Sequence, residues 1–234
     1  MLLCAITDRR RVGDTLATQR AGLLAQARLW AESGVELVQL REKDLPAPEL
    51  IALAKAMQQE IRDVGASTRL ILNAPLAVML AAGADGLHLS SERLPLEKLA
   101  QRFDEIRSHF VVGADTATRR PLWVSVACHT LEEVEQAREQ KVDCILFAPV
   151  FEKEITEKQI SGGPGASPLQ DASTLPGVGL EALAAVCRAA HPVPVLALGG
   201  VTASNAAACI AAGASGIAAI RLFQGLPSGW SALQ

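Results

Sequence analysis

The feature that most constrains the fold is a joint that recurs along the chain, in which a helix-ending signal is followed at once by a short apolar run. Glycine at the start of such a joint suits the left-handed position just after a helix. The run behind it is too short for a helix and fits a strand that is buried on both faces. The four joints read Gly34-Val-Glu-Leu-Val-Gln-Leu, Gly83-Ala-Asp-Gly-Leu-His-Leu, Lys141-Val-Asp-Cys-Ile-Leu-Phe and Gly213-Ala-Ser-Gly-Ile-Ala-Ala-Ile.

Four similar runs lie between these joints, at residues 2–7, 69–72, 122–126 and 193–198, which makes eight predicted strands. Alanine- and leucine-rich stretches with helical spacing separate them, at residues 16–32, 48–64, 131–140 and 180–190. Strict alternation of strands and helices favours parallel pairing, and eight units within one domain length favour a closed barrel. We therefore predict a single (β/α)₈ TIM-barrel domain over residues 1–234, with an open doubly wound sheet as the alternative.

Composition narrows the function classes. The formal net charge is −3 and aromatic residues make up 3% of the 234 residues, so the basic surface and stacking platforms of nucleic-acid binders are missing. The five scattered cysteines suggest neither a disulfide framework nor a zinc site. The apolar start reaches Asp8 too soon for a secretory leader or a membrane span. We expect a cytoplasmic protein without nucleic-acid or membrane partners, and leave a homo-oligomer open.

Two stretches look irregular, at residues 113–121 and 152–179. The second follows the sixth predicted strand, so in a barrel it lies on the rim where catalytic loops sit. We interpret residues 152–179 as a rim loop that could act as a mobile lid, with a tolerated insertion as the alternative.

Candidate binding residues stand where the second predicted strand ends. Alternation places Gln39, Arg41 and Lys43 on one side and Glu42 on the other. A guanidinium fork and a compact ammonium suit a diphosphate better than a single carboxylate. Pairing of Arg41 with a neighbouring acid is the alternative.

Further candidates follow later strands. Asn73 ends the third strand with an amide that can donate and accept. Gly199 and Gly200 precede a predicted helix start, so bare backbone N–H groups could approach an anion, and Ile220-Arg221 ends the eighth strand. Loops after the seventh and eighth strands are the usual phosphate site of such barrels, although a plain tight turn is the alternative.

Other reactive side chains give weaker signals. His88 within the fourth strand and His129 just past the fifth are more typical of hydrogen-bonded core or rim groups than of catalysts. Cys128 is adjacent to His129, but neighbours in an extended strand point oppositely, which argues against a thiol nucleophile.

The order of motifs over essentially the whole chain resembles the thiamine-phosphate synthase/TenI superfamily. The resemblance implies that Gln39, Arg41, Lys43 and Asn73 hold the pyrophosphate of aminomethylpyrimidine diphosphate, with Arg41, Lys43 and Asn73 acting on the leaving group. It also implies that Gly200 and the Ile220-Arg221 backbone hold a thiazole phosphate. The motifs are Ala5-Ile-Thr-Asp8, Val38-Gln-Leu-Arg-Glu-Lys43, Leu70-Ile-Leu-Asn73, Ala82-Gly-Ala-Asp-Gly-Leu-His-Leu89, Cys128-His129, Pro149-Val-Phe151 and Ala197-Leu-Gly-Gly-Val201.

The chain departs from the family pattern at several positions. The resemblance implies Mg²⁺ held by two aspartates, but the matching positions are Ala74 and Arg93, so we predict no metal ligand here. Arg93 could supply part of the missing positive charge. The family's fifth-strand serine matches Ala127, and its serine near the thiazole phosphate matches Arg221. Thr156 and Lys158 match the loop after the sixth strand with uncertain alignment.

These departures leave three hypotheses about phosphorylated small-molecule substrates. The first is a divergent thiamine-phosphate synthase. The second is a TenI-like isomerase that aromatises the thiazole phosphate, although that group's acid/base histidine matches Pro149, so that His129 would have to replace it. The third is a phosphate-binding barrel without catalysis.

Overall fold

The protein is described by a computed structural model that covers residues 1–90, 101, 122–140, 142–154 and 174–224. Eight parallel strands close into a barrel, so the closed barrel is confirmed over the open sheet. The strands of the barrel are β1 (Leu2–Ile6), β2 (Leu37–Leu40), β3 (Arg69–Leu72), β4 (Gly86–Leu89), β5 (Trp123–Cys128), β6 (Cys144–Phe147), β9 (Val195–Ala197) and β10 (Gly216–Ala219). Their order around the barrel is β1-β10-β9-β6-β5-β4-β3-β2.

Helices follow the strands, and two of them begin at side-chain caps. Thr15 and Thr130 each accept a hydrogen bond from the N–H three residues on, in reciprocal capping boxes. The predicted helices are confirmed with bounds that shift by one residue at most. The helices are α1 (Leu16–Glu32), α2 (Ala47–Val64), α3 (Leu76–Ala82), α4 (Leu131–Glu139), α5 (Gly179–Ala190) and α6 (Ala206–Ala211).

The recurrent joint does two things at the amino-terminal face of the barrel. Gly34, Gly83 and Gly213 have φ values of 74°, 64° and 102°, as the predicted helix ends require. The acid two residues into a joint accepts a backbone N–H of the preceding strand: Asp85 Oδ2 lies 2.8 Å from Leu70 N. Glu36 and Asp143 do the same for Leu3 and Val124. In three of the four joints an acid therefore ties two neighbouring strands together.

The apolar side chains of the strands form two separate clusters, one on each face of the barrel sheet. Residues such as Val38, Leu40 and Leu72 pack outward against the helices. A smaller cluster fills the barrel interior, with Leu37 and Ile71 among its members. Alternation along each strand therefore fixes which polar side chains face inward.

The segment 152–179 is more ordered at its ends than predicted. The short strands β7 (Lys153–Glu154) and β8 (Thr174–Leu175) pair antiparallel, with Lys153 opposite Leu175. The hairpin stem was missed because two-residue strands carry no periodicity. The predicted lid between them and the irregular stretch 113–121 lie outside the described residues.

All five cysteines are free thiols. No helix in the described part of the chain is both long and apolar enough to cross a membrane.

Candidate functional site

The parallel barrel brings the predicted site residues to one rim. Because all eight barrel strands run the same way, their carboxyl ends open at the same mouth. Arg41 and Lys43 follow β2, Asn73 follows β3, and Gly200 follows β9. Residues that are far apart in the sequence therefore share one face of the molecule.

A row of polar side chains crosses the interior face of four neighbouring strands. The pairing of Leu40 with Leu72 and of Leu72 with Leu87 extends to Arg41, Asn73 and His88 in the next step, and His88 pairs with Ser125. The backbone N–H of Asn73 donates to Leu40 O at 3.0 Å, which continues the β2–β3 register. The polar row therefore runs from half-buried Arg41 to buried Asn73, His88 and Ser125.

Two side-chain amides in this region each have one atom without a hydrogen-bond partner in the described part of the chain. Gln39 is 2% exposed and shares the interior face with Leu37, while Asn73 is 3% exposed. Neither Gln39 Nε2 nor Asn73 Oδ1 has a partner among the described residues. A buried polar atom without a partner is costly, so such atoms are typical of binding sites that a ligand completes.

His88 and Ser125 form a buried pair below the mouth, with 2.9 Å between Nδ1 and Oγ. Burial first, and then the positive charge of Arg41, lower the pKa of His88 to about 3. His88 is therefore neutral near pH 7, and its interpretation as a hydrogen-bonded interior group is confirmed. Ser125 was not predicted as its partner, because no sequence pattern links the two residues.

The turn after β2 differs from the predicted extended strand. β2 ends at Leu40, and residues 41–44, called here the β2 turn, leave the sheet, with Lys43 and Asp44 exposed. Lys43 therefore does not share the buried position of Gln39. Glu42 does take the opposite side from Arg41, as predicted, and contacts Arg9. The described residues place no carboxylate in an ion pair with Arg41.

The loop after β9 presents backbone amides. Gly199 and Gly200 have φ values of 91° and 65°, and their N–H groups donate to no acceptor in the described ranges. A Cβ on Gly200 would lie 2.5 Å from Glu152 O, so only glycine fits. Asn205 fixes this loop: its Oδ1 accepts from Thr202 N at 2.8 Å and its Nδ2 donates to Gly200 O at 3.0 Å. The sequence had indicated the glycines but not Asn205.

The other predicted residues fall into two groups. Exposed His129 lies at the rim, where its Nδ1–H donates to Ala148 O at 2.6 Å, and Ile220 and exposed Arg221 follow β10. Cys128 is buried, and this burial is the main reason that the pKa of its thiol rises to about 12. A thiol with such a pKa is a poor nucleophile, in agreement with the prediction from the sequence. The predicted positions outside the described residues are Arg93, Thr156 and Lys158.

The described residues do not provide a carboxylate metal site. No group of three or more His, Cys, Asp or Glu side chains among them could hold a metal ion. Ala74 places a buried methyl group after Asn73, which leaves the amide oxygen of Asn73 as the hard donor there.

Fold and site together define a (β/α)₈-barrel protein. Its mouth gathers cationic side chains, two amides with one unpartnered atom each, and two backbone N–H groups that donate to no acceptor among the described residues. Comparison with known proteins shows the family of this chain. The family model described as thiamine monophosphate synthase matches residues 3–223. The chain belongs to the thiamine monophosphate synthase family.

Individual relatives cover most of the chain. It is 32% identical over 226 residues to a thiamine-phosphate synthase of Roseiflexus sp. strain RS-1, covering 97% of this chain and 79% of the relative. It is 37% identical over 194 residues to a thiamine-phosphate synthase of Methanoculleus marisnigri, covering 83% and 76%. The family resemblance inferred from the motifs is therefore confirmed.

Solved structures agree with the fold. A thiamine phosphate pyrophosphorylase from Pyrococcus furiosus superposes with a TM-score of 0.70 at 23% identity, covering 99% of this chain and 93% of that one. A Rubisco-like protein from Rhodopseudomonas palustris reaches 0.64 at 14% identity, covering 99% and 61%. Since the two names differ, these likenesses support the barrel alone.

Proposed function

We propose that this chain joins aminomethylpyrimidine diphosphate to a thiazole phosphate and releases pyrophosphate, forming thiamine phosphate. Family membership supports the reaction class. The observation that carries the proposal is the pair of buried, unpartnered atoms, Gln39 Nε2 and Asn73 Oδ1, beside Arg41. A ligand with polar groups at the mouth would satisfy both atoms and meet a cation.

The residues of the mouth suit a dissociative displacement. The bond between the pyrimidine methylene carbon and the diphosphate oxygen breaks, and its electron pair leaves with pyrophosphate. Arg41 and Lys43 stabilise the charge that develops on this leaving group, and the Gln39 amide helps to orient the substrate. The thiazole nitrogen then donates its lone pair to the methylene cation. No covalent nucleophile is needed.

The second substrate is assigned to the loop after β9. Free N–H groups of Gly199 and Gly200 suit a phosphate monoester, and the backbone of Ile220 and Arg221 follows the neighbouring strand. Binding both substrates at one mouth aligns the attacking nitrogen with the electrophilic carbon. His129, Arg93, Thr156 and Lys158 are proposed as further substrate contacts from the family resemblance.

Relatives of this kind suggest Mg²⁺, but the described residues do not fit a carboxylate site for it. We therefore assign no step to a metal and propose that cationic side chains, Arg93 among them, supply the charge.

Purified protein is given both precursors with Mg²⁺ or with EDTA, and thiamine phosphate and pyrophosphate are quantified. We expect equal amounts of both products with Mg²⁺ and substantial turnover with EDTA, while no product under either condition would refute the synthase.

A TenI-like isomerase is the second candidate, favoured by the absence of a carboxylate cluster among the described residues. It would require a proton-transfer group in place of Pro149, and His129, which is hydrogen-bonded to the neighbouring Ala148 O, would have to serve. Aromatisation of the thiazole phosphate tautomer without joining activity would support this candidate. Binding of thiazole phosphate with no turnover of either kind would instead indicate a non-catalytic barrel.

A further inference from the structure

Arg9 is the centre of a network of ion pairs to which the proposed reaction assigns no role. It lies just after β1 and is 9% exposed. Its backbone N–H and Nη1 donate to the two oxygens of Glu42, each at 3.0 Å. Its Nη1 and Nη2 donate to the two oxygens of Asp44 at 2.6 and 2.9 Å, and its Nε donates to Gln19. One guanidinium therefore binds both carboxylates of the β2 turn.

The β2 turn carries two cations and two carboxylates, so the placement of its carboxylates affects anion binding. Arg41, Glu42, Lys43 and Asp44 alternate in sign, so the turn by itself has no net charge. Two unrestrained carboxylates beside the two cations would pair with them and would repel a diphosphate. Arg9 and Arg10, which also binds Asp44, hold that negative charge on the side away from the barrel interior.

Thr7 connects this network to the backbone of Arg41. Its buried hydroxyl accepts from Arg41 N at 3.0 Å, and Thr7 is one of the neighbours that counteract the burial-driven rise in the pKa of Glu42. Thr7 therefore holds the backbone of Arg41 next to the Arg9–Glu42 pair. Arg9 itself is bound to carboxylates on both arms of its guanidinium, so it does not serve as a further anion ligand.

We propose that Arg9 is a positioning residue of the diphosphate site, which neutralises and holds aside Glu42 and Asp44 so that Arg41 and Lys43 face the substrate. This inference rests on the proposed function, because it takes Arg41 and Lys43 as the diphosphate ligands. It assigns Arg9 no contact with the reacting atoms.

The test compares Arg9→Met with the charge-neutral variant Arg9→Met/Glu42→Gln/Asp44→Asn. Pyrophosphate binding is measured by calorimetry, and kcat and KM are measured for both substrates. For Arg9→Met we expect pyrophosphate binding and the KM for the diphosphate to worsen about tenfold, because freed carboxylates compete for the cations. The KM for thiazole phosphate, which binds at the β9 loop, should stay unchanged.

The neutral variant separates charge neutralisation from a direct cationic role. Without the carboxylates no counter-cation is needed, so we expect its pyrophosphate affinity to lie within about threefold of wild type. It also leaves no buried unpaired carboxylate, so it carries the test if Arg9→Met does not fold. Tenfold weaker binding by the folded neutral variant, or unaltered binding by folded Arg9→Met, would overturn the inference.

The control is Arg28→Met, which removes an arginine that pairs with Glu32 and Glu60 on the outer helices. Its pyrophosphate affinity should equal that of wild type. If wild-type protein neither binds pyrophosphate nor forms product, the proposed function itself fails. If wild type does both and Arg9→Met behaves as Arg28→Met does, only the role of Arg9 is refuted.

Discussion

At the scale of single residues, the candidate site differs from the core in how its polar atoms are satisfied. Buried Gln58 lies between helices, where its Nε2 donates to Ala82 O at 3.2 Å. Buried Gln39 lies in the barrel, and its Nε2 has no partner in the described part of the chain. Two buried glutamines therefore differ in hydrogen bonding, and we propose that a ligand completes the bonding of Gln39.

This contrast predicts opposite effects of one substitution. Gln39→Leu should leave the free energy of unfolding unchanged or raise it by up to about 1 kcal/mol, because it removes an unpaired donor. Gln58→Leu should lower it by about 1–3 kcal/mol, because it leaves Ala82 O without its donor. Substrate affinity should fall roughly 10- to 100-fold in Gln39→Leu, as expected for a lost hydrogen bond to an anion, and stay unchanged in Gln58→Leu.

Denaturant titration and steady-state kinetics on the two purified variants measure these effects. A Gln39→Leu protein that is fully active, or that is destabilised as much as Gln58→Leu, would show that Gln39 is an ordinary interior residue.

At the scale of elements, the sequence predicted the strands and helices well because each joint combines a helix stop with an apolar run. The inward-facing Gln39 followed from the same alternation. The sequence could not predict contacts between distant segments. Examples are Arg9 with Glu42, 33 positions apart, and His88 with Ser125, 37 positions apart. The position of Lys43 was also not predictable, because the chain after β2 is held by the contact between Arg9 and Glu42.

The loop after β9 provides a prediction with an internal control. Gly200 and Gly65 have similar φ values, 65° and 72°, but a Cβ would collide with Glu152 O only at Gly200 and meets nothing within 4 Å at Gly65. Alanine at either site should cost about 1–2 kcal/mol for the left-handed backbone. Gly200→Ala should cost more, and should also weaken thiazole phosphate binding by about tenfold or more, because the loop must shift away from its amide geometry.

Thermal unfolding and calorimetry with thiazole phosphate distinguish the two variants. Equal stability losses would contradict the close packing of this loop. Unchanged binding by Gly200→Ala would remove the loop from the substrate site.

The joints at the opposite face predict stability without function. Asp85 accepts the Leu70 N–H at 2.8 Å, whereas exposed Asp63 contacts only the side chain of Gln59 among the described residues. Asp85→Ala should lower the free energy of unfolding by about 1–3 kcal/mol, and Asp63→Ala by less than about 0.5 kcal/mol. Both should keep wild-type KM values, since the geometry at the mouth does not depend on this face. A changed KM in Asp85→Ala would contradict this division of the barrel.

At the scale of the whole molecule, the buried imidazole of His88 makes stability depend on pH. Its pKa is about 3 in the folded chain, against an ordinary value near 6.5. Between these values the unfolded chain binds the additional proton, so stability falls as pH falls from about 6.5 towards 3. The slope from this residue approaches about 1.4 kcal/mol per pH unit.

His88→Gln should therefore flatten the decline in stability between pH 6.5 and 4, whatever its stability at pH 7. His191→Gln, which changes an exposed histidine, should keep the wild-type slope. Denaturant unfolding of the three proteins across this range measures the slopes. Parallel curves for wild type and His88→Gln would mean that the imidazole is not held neutral in the barrel.

We propose that two anion sites from separate segments meet at one mouth of the barrel. A crystal structure of the protein with pyrophosphate and thiazole phosphate tests it most directly. We predict pyrophosphate in contact with Arg41, Lys43 and Asn73, and the thiazole phosphate on the N–H groups of Gly199 and Gly200 at the same rim. Either anion bound reproducibly elsewhere, with this rim empty at saturating concentration, would contradict the account.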